Sequence, residues 1–380
     1  ESIPFPSVYA VLPVLGVVLL VLYADKETFA AKLLSKKAFV GIGLISYSAY
    51  LWHQPLLVFI RIKFVNEPPL FITALVVLSS FVLGYYSWKL IETPFRNRNL
   101  INKSKIFILS FSGLVLFSVF GIIGNKTNGF QYRLDQWQLD ILQWEKYPRH
   151  LAYKEGDCFL GPEQNYREFK SECSSDEASI LIWGDSHAAA LSSGWNKLHK
   201  LSQLTASGCP PIIDLEIPSR PQCYKINQHV VNKISERKYK TVVMHAYWTS
   251  YSEEQLKGLT STVNQLRKSG VKEIVLISGV PQYQPSLPSR LLLEGTSLNS
   301  IASIKQKHIK VVERDEYLLS LINLQHITFV NAVNIFCDKG YCKATTRFRD
   351  KIIPVAWDYG HLTEGGAMWF AEQINKILVE

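Results

Sequence analysis

Four long stretches without Asp, Glu, Lys or Arg occupy the first third of this 380-residue chain, at 2–24, 38–60, 68–88 and 106–125. Each is about 20 residues long, the length at which a helix crosses the roughly 30 Å hydrocarbon core of a bilayer. Buried core helices are the alternative interpretation, but four such stretches so close together favour a membrane. The sequence therefore predicts four transmembrane helices.

The basic residues between the stretches predict how these helices are oriented. The first connection carries Lys26, Lys32, Lys36 and Lys37, the third carries Arg96, Arg98, Lys103 and Lys105, and the second carries Arg61 and Lys63. Because cytoplasmic connections are enriched in Lys and Arg, we expect the first and third in the cytoplasm. Glu1 and everything after Asn125 then lie outside. The chain starts without Met and without a basic region, so we expect a fragment of a larger protein and no signal peptide.

The charge distribution argues against nucleic acid as a partner. The formal net charge is +9, from 41 Lys and Arg against 32 Asp and Glu. Residues 1–105 hold eleven basic and five acidic side chains, so most of the excess lies in the predicted membrane part. The remainder forms no basic stripe of the kind that binds a phosphate backbone.

Six Cys, all after the last stretch, indicate disulfides. They are Cys158, Cys173, Cys209, Cys223, Cys337 and Cys342. An even number of Cys in the predicted outer region is typical of an oxidising compartment. Although 15 pairings are possible, we favour the sequential pairs 158–173, 209–223 and 337–342, because each closes a short loop bordered by turn residues. Zinc is the alternative, but Cys-x-x-Cys and paired His at metal spacing are absent, and we expect no metal.

The chain after residue 178 alternates between short apolar runs and amphipathic segments. The apolar runs are at 179–183, 241–246, 273–279 and 327–330, and helices are predicted near 188–201, 253–269, 300–321 and 363–378. This alternation is typical of a parallel sheet with helices on both faces, whose site lies at the carboxyl ends of the strands. We thus expect a transmembrane part at 1–125, a linker and extension at 126–178 and an α/β domain at 179–380.

Two short motifs in this domain suggest nucleophilic catalysis. The first strand ends in WGDSH (183–187), which places Ser186 at a helix amino terminus, where backbone N–H groups favour an anion. Asp358 and His361 precede the last helix, and one tight turn brings the carboxylate against the imidazole. Either motif alone is equally typical of a helix cap or a capped turn. Together they predict Ser186 as nucleophile, His361 as base and Asp358 as the residue that orients His361.

These motifs resemble those of SGNH (GDSL-like) hydrolases, which use a Ser-His-Asp triad on a three-layer α/β/α fold. The resemblance implies an oxyanion hole made by the backbone N–H groups of Ser186 and Gly208, since Gly208 matches the family's second motif. The third motif normally supplies an Asn, but the matching strand here ends in HAYWTS (245–250), with no Asn and no Gly. The indole N–H of Trp248 is one candidate for the third donor, and a buried packing Trp is the alternative.

The membrane part carries a resemblance of its own. The segments GLISYSAYLWHQP (43–55) and IETPFR (91–96) are similar to late segments of membrane acyltransferase-3 proteins. Four spans leading to an SGNH domain resemble the end of the fusions that O-acetylate bacterial surface polysaccharides. In that family an earlier span carries essential Arg and His residues that are not in this chain. We therefore do not expect the fragment alone to pass acyl groups across a membrane.

His53 and Glu92 are candidate functional residues of the membrane part. His53 is the one imidazole inside a predicted span, and an ionisable group at that depth is a functional candidate. A structural His beside Trp52 and Pro55 is the alternative. Glu92 is expected at the cytoplasmic end of its span, where an ion pair with Arg96 competes with a direct role.

Together the resemblances imply an O-acetyltransferase in the bacterial inner membrane, with its SGNH domain in the periplasm. The implied acceptor is the O-antigen of lipopolysaccharide or a related glycan, and the implied donor is acetyl-CoA on the cytoplasmic side of the full-length protein. No tightly bound cofactor is expected, and Tyr247, Trp248 and Trp357 are candidate stacking surfaces for the sugar. A membrane-tethered carbohydrate O-acetyl esterase would use the same triad, and a non-catalytic glycan-binding module would keep the same fold.

Overall fold

The computed structural model describes residues 8–64, 68–97, 99–305, 309–322 and 327–379. Residues 2–7 of the first predicted span, Arg98, and 306–308 of the helix predicted at 300–321 lie outside the described residues. The chain divides into two compact units, Glu1–Phe130 and Gln131–Glu380. The α/β unit thus includes most of the region expected to be a linker and extension.

The amino-terminal unit is helical throughout its described part. Its α-helices are α1 Val11–Tyr23, α2 Phe29–Leu34, α3 Lys37–Lys63, α4 Leu70–Ser87, α5 Thr93–Arg96 and α6 Lys103–Lys126. A 3-10 turn, Val8–Ala10, precedes α1. A π-helical turn, Trp88–Glu92, joins α4 to α5, so that Leu70–Arg96 is one continuous helix.

Small residues hold α3 against α4. Ser48 and Ala49 on α3 and Ser80 and Gly84 on α4 are the buried residues of this helix pair. A Cβ added at Gly84 would lie 2.8 Å from the backbone nitrogen of Ala49. Such contacts between small residues let helix backbones approach closely, as they do in helix pairs that pack within lipid.

Within the described part of the chain, two helices are long and apolar enough to cross a membrane, Leu70–Arg96 and Lys103–Lys126. The described part of α1 has only 13 residues, too few for a full span. Helix α3 has 27 residues, but hydroxyl side chains together with His53 and Gln54 lower its mean hydropathy. Length and apolarity thus agree with spans at 68–88 and 106–125 but not at 2–24 and 38–60, and the transmembrane assignment of all four stretches stays a prediction.

The α/β unit is built on a six-stranded parallel sheet, with strand order β1-β3-β2-β4-β5-β7. Its strands are β1 Phe159–Leu160, β2 Ile180–Gly184, β3 Leu201–Ala206, β4 Thr241–His245, β5 Glu273–Ile277 and β7 Thr328–Val330. Two small antiparallel sheets contain β6 Ser303–Lys305, β8 Cys337–Asp338 and β9 Tyr341–Lys343, and β10 Thr345–Phe348 and β11 Lys351–Pro354.

Ten α-helices accompany the sheet in the described part of this unit. They are α7 Gln136–Leu142, α8 Arg149–Ala152, α9 Ser186–Trp195, α10 Cys223–Arg237, α11 Glu253–Leu256, α12 Gly258–Lys268, α13 Leu287–Leu293, α14 Ile309–Ile322, α15 Ala332–Phe336 and α16 Glu364–Val379. The 3-10 turns are Gln131–Arg133, Gln143–Lys146, Tyr166–Glu168, Ser171–Cys173 and Trp248–Ser250.

Alternate side chains of the central strands form two separate cores, one on each face of the sheet. Ile182 and Val243 pack with α9 and α16 in one core. Leu181 and Val242 pack with α10, α12 and α14 in the other. Because successive side chains of a strand point to opposite faces, a strand covered on both sides is apolar throughout. The predicted doubly wound α/β fold is confirmed.

The four predicted strands are present, while the prediction of one helix over 300–321 is wrong at its start. Ser303–Lys305 forms β6, which pairs with β9, and Ile304 is buried in the core. Helix α14 begins only at Ile309. All three predicted disulfides are confirmed, Cys158–Cys173, Cys209–Cys223 and Cys337–Cys342, so these sulfur atoms are not available to zinc.

Candidate active site

Ser186 is the first residue of α9, directly beyond the carboxyl end of β2. Gly184 makes this connection possible, because its φ of +154° favours glycine and an added Cβ would collide with the carbonyl oxygen of His245. Asp185 caps the helix through a hydrogen bond from the backbone N–H of His187 (2.9 Å). The Ser186 hydroxyl is therefore held at the sheet edge where parallel strands place their reactive groups.

Asp185 does more than cap α9. Its second carboxylate oxygen accepts hydrogen bonds from the backbone N–H of Tyr247 (2.8 Å) and the hydroxyl of Tyr251 (3.1 Å). Burial raises the pKa of this carboxyl to about 6, while these hydrogen bonds favour the ionised form. Asp185 thus ties the loop after β4 to the residue beside the nucleophile.

Asp358 and His361 lie on the loop between β11 and α16, which a hydrogen-bonded turn closes. Asp358 Oδ1 accepts from the backbone N–H groups of Gly360 (3.0 Å) and His361 (2.8 Å). Asp358 Oδ2 accepts from His361 Nδ1–H at 2.7 Å. The carboxylate therefore fixes both the ring orientation and the tautomer of the imidazole.

The structure brings the three predicted triad residues together. The Ser186 hydroxyl donates to His361 Nε2 at 2.8 Å, completing a chain from Ser186 through His361 to Asp358. Gly194 allows α9 and α16 to approach closely, because a Cβ there would collide with the backbone of α16 at Ala367 and Met368. The geometry is that of a nucleophile, a base and an orienting carboxylate.

Gly208 follows β3, with a φ of +60° that favours glycine, and the next residue, Cys209, is bonded to Cys223. The buried guanidinium of Arg220 donates to the carbonyl oxygen of Ser207 (2.7 Å) and to those of Gly161 and Pro162. The disulfide and Arg220 therefore hold the segment whose N–H is predicted to form part of the oxyanion hole. Arg220 could not be predicted as a site residue from the sequence, because its partners are backbone carbonyls.

Residues 145–376 match a family described as the SGNH domain fused to AT3 domains. The chain belongs to this family.

Sequence relatives point to the same group of proteins. The chain is 30% identical over 95 residues to a peptidoglycan O-acetyltransferase, OatA, of Listeria monocytogenes, which covers 25% of this chain and 15% of that protein. It is 38% identical over 69 residues to an O-acetyltransferase OatA of Staphylococcus aureus, covering 18% of this chain and 11% of that protein. The chain thus spans less than a fifth of the length of these relatives.

A solved structure shares the fold of the SGNH domain. It is the periplasmic domain of a lipopolysaccharide acetyltransferase from Salmonella ser. Paratyphi A, with a TM-score of 0.53 and 20% identity over 63% of this chain and 97% of that chain. At this identity the likeness establishes the fold alone.

Two rings lie against the imidazole of His361, the predicted base. Trp357 stacks on it with centroids 5.7 Å apart and planes 21° apart, and the tilted ring of His187 has its centroid 4.4 Å away. Tyr247 stacks on His187 at 5.1 Å with planes 10° apart. Two of the three predicted sugar-stacking residues, Tyr247 and Trp357, are therefore half-buried beside the triad.

The prediction that Trp248 contacts substrate or the oxyanion is wrong. Its side chain is completely buried, and its indole N–H donates to the carbonyl oxygen of Ile277 (2.8 Å). Because the single donor of an indole is used by the backbone, Trp248 packs beneath the site. The Ser186 and Gly208 amides remain the predicted oxyanion donors.

Two further imidazoles, His187 and His245, are buried next to His361 and were missed as site residues. His187 Nε2 is hydrogen-bonded to the Tyr359 hydroxyl (3.2 Å), and His245 Nδ1–H donates to a backbone carbonyl (3.2 Å). Burial lowers the pKa of His245 to about 4 and that of His187 well below its usual value. Both rings are thus neutral at pH 7, so they would not repel a positive charge on His361.

The two candidate residues of the membrane part have local partners. His53 Nδ1–H donates to the Tyr50 carbonyl oxygen within α3 (2.5 Å). Glu92 lies on the π-helical turn, where it pairs with Arg96 (2.7 Å) and accepts a hydrogen bond from the Ser48 hydroxyl of α3 (2.9 Å). Of these contacts only the bond from Ser48 to Glu92 joins two helical segments, and a chemical role for either residue stays a prediction.

Proposed function

We propose that this chain is part of a membrane-bound O-acetyltransferase that transfers acetyl groups to a bacterial surface polysaccharide, the O-antigen of lipopolysaccharide. The observation that carries the proposal is the hydrogen-bonded set Ser186, His361 and Asp358 at the strand ends of an SGNH domain. The similar proteins from Listeria monocytogenes and Staphylococcus aureus are named as O-acetyltransferases, which supports the transfer reaction.

The first half-reaction forms an acetyl-enzyme. Ser186 Oγ attacks the carbonyl carbon of the acetyl donor while its proton passes to His361 Nε2, 2.8 Å away. The resulting oxyanion accepts hydrogen bonds from the N–H groups of Ser186 and Gly208. When the intermediate collapses, the bond to the donor breaks, the donor takes the proton from His361, and an ester on Ser186 remains.

The second half-reaction returns the enzyme to its starting state. A sugar hydroxyl loses its proton to His361 Nε2, and its oxygen attacks the acetyl carbon on Ser186. The Ser186–acyl bond then breaks, and His361 returns a proton to Ser186 Oγ. The half-buried rings of Tyr247 and Trp357 offer apolar faces on which a sugar ring can be oriented for this attack.

The acetyl group reaches this site from the cytoplasm in the proposal. In the full-length protein, acetyl-CoA is the donor on the cytoplasmic side. Four spans of the inner membrane place residues 131–380 in the periplasm. The two helices of sufficient length and apolarity, Leu70–Arg96 and Lys103–Lys126, support this topology, as does the fusion to AT3 domains in the family.

Replacing Ser186 by Ala in the full-length protein tests the proposal. We expect O-acetyl groups to disappear from the surface polysaccharide, as measured by NMR of purified polysaccharide, because no acetyl-enzyme can form. Ser261→Ala is the matched control, since that exposed hydroxyl bonds only within α12. Unchanged acetylation in the Ser186→Ala strain would refute the proposal.

The Ser186→Ala variant and a labelling experiment on the parent protein separate the two rival functions. A tethered esterase predicts more acetyl on the polysaccharide when Ser186 is lost, because removal stops. A non-catalytic glycan-binding module predicts that a serine-directed phosphonate leaves Ser186 unlabelled. Stoichiometric labelling of Ser186 in the parent protein, together with loss of acetylation in the Ser186→Ala strain, would exclude both rival functions and support the transferase.

A further inference from the structure

A cleft of about 590 Å³ lies between the turn Tyr166–Glu168 and the first turns of α10. None of the triad residues lines it. Among the described residues, its lining holds three rings, four side-chain amides and two cations, with no carboxylate and no aliphatic side chain. A cleft of this size is in the range of small-ligand sites, but its lining is far more polar than that of a typical apolar pocket.

The rings of the cleft form a surface on which a sugar ring can stack, and other residues of the domain pack behind them. Tyr166 and His229 lie with centroids 5.1 Å apart, and Phe169 stacks behind His229 with planes 15° apart. Tyr166 also packs on the core that contains the Cys209–Cys223 disulfide. Because the face of an aromatic ring is electron-rich, it attracts the polarised C–H groups of a sugar ring.

The amides supply hydrogen-bonding groups next to these rings. The side-chain amides of Gln222 and Asn232 have no hydrogen-bond partner among the described residues, whereas that of Gln228 donates to Asp214 (3.0 Å). An amide presents both a donor and an acceptor, which matches the hydroxyl groups of a sugar. Rings and amides together therefore fit a saccharide better than an apolar ligand.

The two cations give the cleft its charge preference. Arg167 and Lys225 are exposed and form no ion pair within the described part of the chain. The nearby carboxylates Glu168 and Asp214 accept hydrogen bonds from neutral N–H groups and do not line the cleft. An anion entering the cleft thus meets two cations and no carboxylate in the lining.

We propose that this cleft binds a carboxylate-bearing sugar unit of a polysaccharide, at a subsite separate from the triad. The segment of Gly208 adjoins it, because the Cys209–Cys223 disulfide joins that segment to the start of α10. That the bound polysaccharide is the acetyl acceptor rests on the proposed function, whereas binding itself does not. A long acceptor could contact the cleft while another of its units occupies the triad.

The test is a titration of the full chain in detergent, carrying Ser186→Ala so that no turnover occurs. The probes are a tetramer of galacturonic acid and the same tetramer with all carboxylates methyl-esterified. We expect the acidic tetramer to bind at least tenfold more tightly, and the double variant Arg167→Gln/Lys225→Gln to weaken it about tenfold. The matched control, Lys268→Gln/Lys272→Gln, removes the same charge from exposed lysines outside the cleft and should change nothing.

Each outcome decides one part of the inference. Equal weakening by the control pair, or no weakening by Arg167→Gln/Lys225→Gln, would overturn the site. Equal binding of the esterified tetramer would overturn the carboxylate preference. Displacement of the tetramer by equimolar inorganic phosphate would show that the cleft binds an anion and does not recognise a sugar unit. Because Ser186 is already replaced, a failed proposal for the triad leaves this result unaffected, and a failed cleft leaves the triad unaffected.

Discussion

Helices α6 and α9 place their residues in opposite environments. No residue of α6 is buried, although most of its side chains are apolar, whereas every residue of α9 after Ser186 is buried. A protein in water rarely exposes an apolar surface as long as α6, since each such side chain costs free energy there. This difference supports the proposed topology, in which lipid surrounds the amino-terminal unit and water surrounds the α/β unit.

The largest expected effect tests whether hydrolytic chemistry belongs to the α/β unit alone. We expect Asp358→Asn to lower kcat for a soluble acetyl ester about 10⁴-fold, because an amide no longer holds the His361 tautomer that accepts the proton of Ser186. The measurement is the steady-state rate of the purified full chain in detergent.

Two control variants test whether the loss of kcat is specific to Asp358. Asp350→Asn removes the same charge from an exposed position of the α/β unit and should leave kcat unchanged. Glu92→Gln alters the amino-terminal unit and should also leave soluble ester hydrolysis unchanged, since its partners are Arg96 and Ser48. If Glu92→Gln lowered kcat by the same factor, ester hydrolysis would not belong to the α/β unit alone.

The triad could be predicted because its geometry is local. Ser186 follows a strand and starts a helix, and Asp358 and His361 are joined by one turn, so the sequence contains most of the arrangement. Trp248 is the opposite case. Its environment depends on β5, which is distant in sequence, and the order of residues does not reveal that Ile277 uses its N–H.

Strand β3 was missed because polar residues interrupt its apolar pattern. Ser202, Gln203 and Thr205 are all buried there. Tertiary partners bind their donor groups, since the Gln203 amide N–H donates to the Tyr153 carbonyl (2.9 Å) and the Thr205 hydroxyl donates to the Cys158 carbonyl (2.9 Å). A buried polar group with a partner is tolerated, but only the folded chain shows the partner.

The second expected effect compares one substitution in both solvents. Leu116 on α6 and Leu319 on α14 are both exposed, at 66% and 38%. In lipid, exchanging Leu for Asp near the middle of a span costs about 3–4 kcal/mol of insertion free energy, a factor of a few hundred. At Leu319, which water reaches although more than half of the side chain is buried, the same exchange costs about 1–2 kcal/mol of the free energy of unfolding and leaves membrane insertion unchanged.

Membrane extraction and protease accessibility of residues 131–380 in cells measure this difference. We expect Leu116→Asp to release part of the protein from the membrane or to leave the α/β unit on the wrong side. Leu319→Asp, the control, should behave as the parent does. Equal behaviour of the two variants would show that α6 does not face lipid, and the contrast between the units would fail.

The smallest expected effect compares the same Arg→Lys substitution at two positions, one in each unit, where the arginines form different kinds of contact. Arg96 forms one ion pair with Glu92 and is 73% exposed, whereas Arg220 is buried and donates to three backbone carbonyls. A Lys can keep an ion pair as a point charge, but it cannot reproduce a planar set of donors. The same Arg→Lys exchange should therefore matter only at Arg220.

Positioning of the Gly208 segment explains the size we expect at Arg220. Loss of an entire oxyanion donor costs about 10²–10³ in kcat, so a displaced donor in Arg220→Lys should cost about tenfold, with KM for a soluble ester unchanged. Arg96→Lys should leave both constants unchanged, since an exposed pair contributes about 1 kcal/mol at most. If Arg220→Lys lowered only the melting temperature and left kcat intact, Arg220 would support the fold without positioning Gly208.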